Sequence, residues 1–324
     1  MTDGNVFAEE KENLKRTAQI SLFGKKITVK NYLCAKNGCP YKQKPEPLEL
    51  QLSIVPTFYC GAHCSFCSAA ASAGNRSFLD IKKLEKVLRE LDSKKVIRGI
   101  SITGGEPFTD ITLLNEIIEM IFDICGVEKE ISINTNGSGL SKLREIQRLP
   151  YVDTIHISRH HYDDEKNRAY FGIPVATGEE IAKITDIVKD PKLFVFNCLL
   201  LKGGIDSKEE CIRFLEFAGK TGVPKVGFIT PMVVNSYTEK NRISYTKVFD
   251  RNEARTLFTT DYRDFEFCRC QDGVYLTDSG RLVEFYGRET EYGCTGYVRG
   301  LVYGADNVLR TGFSPDAEVI FEQG

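Results

Sequence analysis

Residues 48–67 read LELQLSIVPTFYCGAHCSFC, an alternating apolar run that breaks at Pro56 and ends in three closely spaced cysteines. Leu48–Val55 predicts a strand, because apolar residues recur at every second position. The loop behind it, Cys60-Gly-Ala-His-Cys64-Ser-Phe-Cys67, sets three thiols apart by three and then two residues. Thiolates at this spacing can wrap one loop around one metal centre, and as soft anions they suit iron–sulfur clusters. No fourth cysteine stands in the loop. A centre with three protein ligands keeps one position open, which a catalytic site needs and a structural site lacks. Taken alone, these residues leave three readings: an iron–sulfur cluster, a zinc site completed by His63 or a distant residue, and unligated thiols.

Downstream the pattern becomes regular. Ile81, Leu84, Val87, Leu88 and Leu91 keep helical spacing, with Asp80 placed to cap the helix start. Val96–Thr103 predicts a second strand, and Ile111, Leu114, Ile117, Ile118 and Ile121 a second helix. Strands follow at Glu130–Thr135, Val152–Ser158, Leu193–Leu201 and Val223–Thr230; helices are expected at Ser141–Arg148, Glu179–Lys189 and Ser207–Gly219. Six strands alternating with helices imply an α/β fold with a parallel sheet, since parallel neighbours need crossover connections. Periodicity leaves open a doubly wound sheet or a full or partial barrel.

Working outward, residues 1–47 form an N-terminal extension. Residues 1–18 read as a lead-in, Ile20–Leu22 and Lys26–Val29 as a short hairpin, and the Pro- and Gly-bearing stretch 34–47 as a linker. The core is placed at 48–232. After it the alternation stops, and 233–324 reads as a separate C-terminal α+β region packed on the sheet.

Composition limits the function classes. The 324 residues are 42% hydrophobic and 27% charged with net charge −2, a globular profile with no pull toward nucleic acid or an anionic membrane. No secretory h-region opens the chain and no apolar run is long enough to span a bilayer, so a cytoplasmic location is expected. Eleven cysteines, an odd number, argue against a disulfide framework. Cys125, Cys198 and Cys211 sit in apolar patterns and read as core residues; the others fall into groups, as metal binding would produce.

The C-x3-C-x2-C spacing, with the aromatic Phe66 before the last cysteine, resembles the signature of the radical S-adenosylmethionine (SAM) superfamily. The resemblance implies a [4Fe–4S] cluster on Cys60, Cys64 and Cys67, with SAM on the open iron. It also implies reductive cleavage of SAM to a 5′-deoxyadenosyl radical that abstracts hydrogen from a substrate, with a flavodoxin or ferredoxin as electron donor. Gly104-Gly105-Glu106-Pro107, ending the second strand, resembles the family's GGEP motif, which contacts the SAM amino group. Thr135-Asn136-Gly137-Ser138, ending the third strand, resembles the segment near the SAM ribose and carboxylate. Ser158 matches the fourth strand end, while Arg159 and His160 depart from the family's Leu-Asp; Arg159 is read as a partner for the SAM carboxylate or a surface residue. Asn197 on the fifth strand is read as facing the cofactor or as a buried amide satisfied by backbone. The expected fold is a partial (β/α)6 barrel, closest in pattern to relatives of the GTP cyclase of molybdenum-cofactor biosynthesis.

Cys268, Cys270 and Cys294 partly resemble the auxiliary-cluster cysteines of such relatives, which would imply a second iron–sulfur cluster. The spacing departs: Cys268 and Cys270 are one residue apart, and Val283-Glu284-Phe285 stands where a third cysteine is expected. A mononuclear metal and structural thiols stay open, and Cys34 and Cys39 are read as structural or incidental, with added ligands to a second site as the alternative. His160-His161-Tyr162-Asp163-Asp164 is read as a solvated loop at the barrel mouth, with substrate binding as the alternative. The substrate is expected to be a small molecule or nucleotide. The alternatives are a ribosomal peptide matured by the same chemistry and a zinc-stabilised binding protein without catalysis.

Overall fold

The computed structural model describes residues 17–30, 50–68, 74–188, 190, 193–248, 273–277, 279–287, 298, 300–313 and 317–322. An antiparallel hairpin comes first, β1 (Thr17–Leu22) and β2 (Lys25–Lys30). Both turn residues, Phe23 and Gly24, have positive φ (48° and 79°), the geometry that matches the twist of paired strands. Its Leu22, Ile27 and Val29 are buried in the main core.

Six strands then lie side by side in chain order, each parallel to the next: β3 (Leu50–Ile54), β4 (Ile97–Ile102), β5 (Glu130–Thr135), β6 (Thr154–Ser158), β7 (Phe194–Leu199) and β8 (Lys225–Thr230). Each falls within the segment predicted for it. The order settles the winding. Every strand adds to the same edge, and right-handed crossovers then put all connections on one face. A doubly wound sheet would reverse its order partway. The sheet keeps two free ends among the described residues, so it is a partial barrel and not a closed one.

The crossovers carry α1 (Ile81–Ser93), α2 (Ile111–Cys125), α3 (Asp164–Phe171), α4 (Gly178–Val188) and α5 (Lys208–Lys220). Asp80 caps α1 as expected, its carboxylate accepting from the backbone N–H of Lys82 and Lys83. Between β5 and β6 the predicted helix is replaced by 3-10 turns at Leu140–Glu145 and Leu149–Tyr151. Pro150 lacks an N–H and sits in the second of these turns, so no α-helix runs on through it. Two short helices, α6 (Ser236–Asn241) and α7 (Tyr245–Val248), follow β8.

The C-terminal strands correct one expectation. They do not pack on the sheet as a separate layer but lengthen it at both edges. β9 (Gly273–Leu276) and β10 (Leu282–Gly287) extend it beyond β8, with β10 parallel to β8. β11 (Gly300–Tyr303) runs parallel to β3 at the other edge, followed by β12 (Val308–Arg310) and β13 (Val319–Glu322). The core therefore carries eight consecutive parallel strands. Among the described residues no helix is long and apolar enough to cross a membrane.

Alternation along the strands gives the barrel two unlike faces. Ile100, Ile102, Ile131, Ile133, Ile155, Ile157, Phe194 and Phe196 are buried and belong to one core with Leu84, Val87, Leu88, Leu91, Leu114, Ile117, Ile118 and Ile121 of the helices. Each such side chain contributes roughly 1.5–3 kcal/mol on burial. The intervening positions are polar and half-buried: Ser101, Ser132, Asn134, His156, Ser158 and Asn197. Cys198 and Cys211 are fully buried core thiols, as read from the sequence.

Candidate functional site

The C-terminal ends of the parallel strands open on a cavity of about 220 Å³. Cys60, Cys64 and Cys67 line it together with Gly104 and Gly105 after β4, Thr135 and Asn136 at the end of β5, Ser158 at the end of β6, and Asn197 on β7. Nine of the predicted site residues, from five separate chain segments, therefore meet in one place. Glu106, Pro107 and Arg159 do not line it. Cys34, Cys39, Cys268, Cys270 and Cys294 lie outside the described residues.

The cysteine loop is tied down on three sides. His63 N–H donates to Phe171 O at the end of α3 (2.8 Å), and Asn235, the cap of α6, donates its side-chain amide to Ser65 O (2.8 Å). On the third side, Gly105 N–H donates to Thr57 O and Glu106 N–H to Tyr59 O, both 3.0 Å. This contact explains the glycine pair. A Cβ on Gly105 would stand 2.1 Å from Tyr59 O, and one on Gly104, whose φ is +113°, would stand 2.3 Å from Val55 Cγ1. The close backbone approach read from Gly104-Gly105 is thus made by the cysteine loop itself.

Glu106 is a brace. It is 3% exposed, and its carboxylate accepts from Phe108 N–H (3.2 Å), Thr135 Oγ1–H (2.7 Å) and Asn136 N–H (2.8 Å). Burial nonetheless raises its pKa above the ordinary carboxylate value. A carboxylate has about four acceptor sites, so one remains, on Oε2. The turn it braces is fully specified: Gly137 N–H donates to Thr135 Oγ1 (3.0 Å) and Ser138 N–H to Asn136 Oδ1 (2.8 Å). Pro107 opens the buried 3-10 turn Pro107–Thr109 and serves the same brace.

Arg159 corrects the reading of the fourth strand end. It is neither on the surface nor aimed at the cavity. It is 1% exposed, and its guanidinium donates to the carbonyls of His161 (3.0 Å), Ala176 (3.0 Å) and Tyr162 (3.2 Å) and pairs with Asp164. It also lies over the Phe217 ring at 4.5 Å. Its office is to hold the start of α3 and the approach to α4. Ser158, by contrast, faces the cavity, and its hydroxyl makes no hydrogen bond to the described residues. Asn197 is half-buried and meets His156 Nδ1 at 3.4 Å, so it is satisfied by a side chain and not by backbone.

The segment read as a solvated loop is also corrected at its start. His160 and His161 are 4% and 1% exposed. His160 lines the cavity, stacks on Phe171 (5.2 Å between centroids) and meets Phe66 edge-on at 4.8 Å. Its Nδ1 accepts Leu199 N–H at 3.2 Å, which leaves the proton on Nε2. Burial, with Arg159 nearby, pushes its pKa down to about 3. Other lining residues not singled out in the sequence are Ser68, Thr103, Asn134, Phe171, Leu199, Ile229, Pro231, Met232 and Val234. Strand parity could have found Asn134 and Leu199, two positions from Asn136 and Asn197 on the inner face.

The donor set fits a polynuclear cluster. Among the described residues the cavity lining carries no charged side chain. Burial, helped by the neighbouring Cys67 and Cys60, pushes the Cys64 thiol up to about 12, and burial raises the Cys60 thiol as well. Ionising these buried thiols needs a cationic partner. Among the described residues, no three His, Cys, Asp or Glu side chains are grouped closely enough to share one metal ion. A single zinc needs its ligands converging at about 2.3 Å, whereas a cluster takes each cysteine at a different iron.

Comparison with known proteins gives a consistent picture. The model of the radical SAM superfamily matches residues 54–241. A probable GTP 3′,8-cyclase of Pyrococcus horikoshii is 28% identical over 172 residues, 52% of each chain. One from Saccharolobus islandicus is 28% identical over 191 residues, 56% of this chain and 57% of the relative. The chain thus matches only about half the length of these relatives. Among solved structures, Streptococcus suis SuiB bound to S-adenosylmethionine superposes with a TM-score of 0.60 at 19% identity, covering 85% of this chain and 64% of that one. Native anSMEcpe with bound AdoMet and the Cp18Cys peptide gives a TM-score of 0.52 at 14% identity, covering 82% of this chain and 75% of that one. These two likenesses are of fold.

Proposed function

The chain belongs to the radical SAM superfamily, and from that premise we propose that Cys60, Cys64 and Cys67 hold a [4Fe–4S] cluster beside a pocket for SAM at the strand ends. When bound, the cluster supplies an electron and SAM the radical that removes a hydrogen atom from a substrate. The chain's own residues fix where this happens. The three thiols leave one iron without a protein ligand. Ser158 Oγ and the Asn134 and Asn197 amides offer hydrogen bonds to a polar cosubstrate, and Glu106, set behind the cavity wall, braces the Asn136 turn that lines it. Phe66, Phe171, Leu199, Ile229, Met232 and Val234 form apolar wall, which limits water at the reacting centre.

The observation that carries the proposal is the convergence of the cysteine loop and the ends of β4–β7 on one cavity. The substrate reading is a small molecule or nucleotide, supported by the GTP 3′,8-cyclase relatives and by the modest cavity. A peptide substrate is the second reading, favoured by the fold shared with anSMEcpe. Anaerobic reconstitution with iron and sulfide, followed by reduction in the presence of SAM, tests the chemistry. Wild type is expected to release 5′-deoxyadenosine, and Cys64→Ala to lose that release while keeping the barrel's circular dichroism. Undiminished release by the variant, or bound zinc without sulfide in wild type, overturns the proposal. Stimulation of SAM cleavage by nucleoside triphosphates or by peptides separates the two substrate readings.

A further inference from the structure

We infer that Asn136 is a positioning residue that donates an N–H···S hydrogen bond to Cys60 and thereby sets the reduction potential of the cluster; the inference rests on the cluster reading above. Asn136 Nδ2 lies 3.5 Å from Cys60 Sγ, within the range for a bond to sulfur. Nothing about this contact is left to chance. The Asn136 backbone N–H is held by Glu106 Oε2, and its Oδ1 accepts Ser138 N–H. With Oδ1 committed, the amide can turn only its NH₂ toward the sulfur. Glu106 in turn is buried and bonded to Thr135 and Phe108. The strand-end motifs after β4 and β5 therefore converge, through one carboxylate, on one cysteine ligand.

The choice of cysteine is also informative. Cys60 is the buried member of the trio, while Cys64 and Cys67 are partly exposed. Water can donate to sulfur at the two exposed ligands. At the buried one the protein supplies the donors itself, the Ala62 backbone N–H together with the Asn136 amide. Among the described residues no other asparagine amide contacts a cysteine sulfur. A donor at sulfur stabilises the more negative, reduced cluster more than the oxidised one, so it raises the potential.

The test uses the full chain, reconstituted anaerobically, without SAM. Wild type and Asn136→Leu are poised at a series of potentials, and the reduced cluster is counted by electron paramagnetic resonance. At a given potential the ratio of reduced to oxidised cluster is expected to fall about tenfold in the variant, 59 mV for one electron. An unchanged ratio in a variant that still holds about four irons per chain overturns the inference and leaves the cluster reading standing. Wild type without iron or sulfide overturns the cluster reading itself. A measurement on wild type covers a variant that loses its cluster. With ¹⁵N placed only in asparagine side chains, pulsed resonance of the reduced cluster is expected to detect a ¹⁵N coupling and exchangeable protons; their absence overturns the inference.

Discussion

Glu106 and Arg159 are two buried charges that stand one residue beyond landmarks of the same kind, the glycine pair after β4 and Ser158 at the end of β6. One is turned toward the cysteine loop and the other away from it. Glu106 braces Asn136 and Thr135 against the cavity, whereas Arg159 gathers the carbonyls of His161, Tyr162 and Ala176 behind it. The reason is strand parity. Ser158 continues the inner face, paired in register with Asn197, so the next side chain must point outward. After β4 the positive φ of Gly104 breaks the alternation, and Glu106 is freed to turn inward. A buried charge at a strand end thus braces the cavity wall only when the backbone turns it inward.

The largest effect that sharpens this contrast is expected at Arg159. Arg159→Met keeps the contact with Phe217 but leaves three carbonyls and Asp164 without their donor. A stability loss of about 3 kcal/mol is expected, discounted because Asp164 is substantially exposed. Denaturant titration reads that loss. Iron and sulfide per folded chain should stay unchanged, and a variant with normal stability but an empty cluster site would show that Arg159 serves the cofactor after all.

What the sequence made legible divides along the same line. Period-2 and period-3.6 patterns placed all six core strands and the helices that bury Leu84, Val87, Leu88 and Leu91 or Leu114, Ile117, Ile118 and Ile121. The cysteine spacing and strand-end motifs located the cavity. Arg159 was misread because its residue type suggested a ligand, although the parity set by Ser158 already pointed it outward. Helix α3 was missed because only Asn167 and Phe171 of its eight residues are buried. Its cap signals were nevertheless present, Asp163 before it and Gly172 after it at φ 68°. The fate of the C-terminal strands was not legible at all. Pairing β10 with β8 and β11 with β3 depends on contacts far apart in sequence, which local pattern does not encode.

His160 gives the next effect, one of pH. Its folded pKa is depressed to about 3, against an ordinary value of 6.5. Below 6.5 the unfolded chain takes up a proton that the native state refuses, because the imidazole is buried and Arg159 stands beside it. Stability from this residue is therefore full above pH 6.5 and is lost as pH falls toward 3, about 2 kcal/mol between pH 7 and 5. His160→Gln keeps an acceptor for Leu199 N–H and cannot titrate. The acid-side slope of unfolding free energy should flatten by that amount in the variant. An unchanged slope would place the imidazole in contact with solvent.

Glu106 carries the opposite sign and the smallest net effect. Its folded pKa is raised above 4.5, so the native state binds a proton more readily than the unfolded chain. That contribution is present below 4.5 and is lost as pH rises through the folded pKa. Glu106→Gln removes the cost of burying the charge. It also leaves one amide oxygen for Phe108, Thr135 and Asn136, and turns an NH₂ group toward whichever donor the oxygen does not face. The two changes offset, and a loss of about 1 kcal/mol is expected near pH 5. As pH rises, wild type gives up its proton while the variant has none to give, so the gap between their denaturant midpoints should narrow. Once wild type is ionised, the Asn136 turn of the variant lacks its charged anchor. A variant that matches wild type in stability at neutral pH, yet holds its cluster at a lower potential, is the outcome that separates the work of Glu106 on the cofactor from its work on the fold. Arg159→Met should produce the reverse.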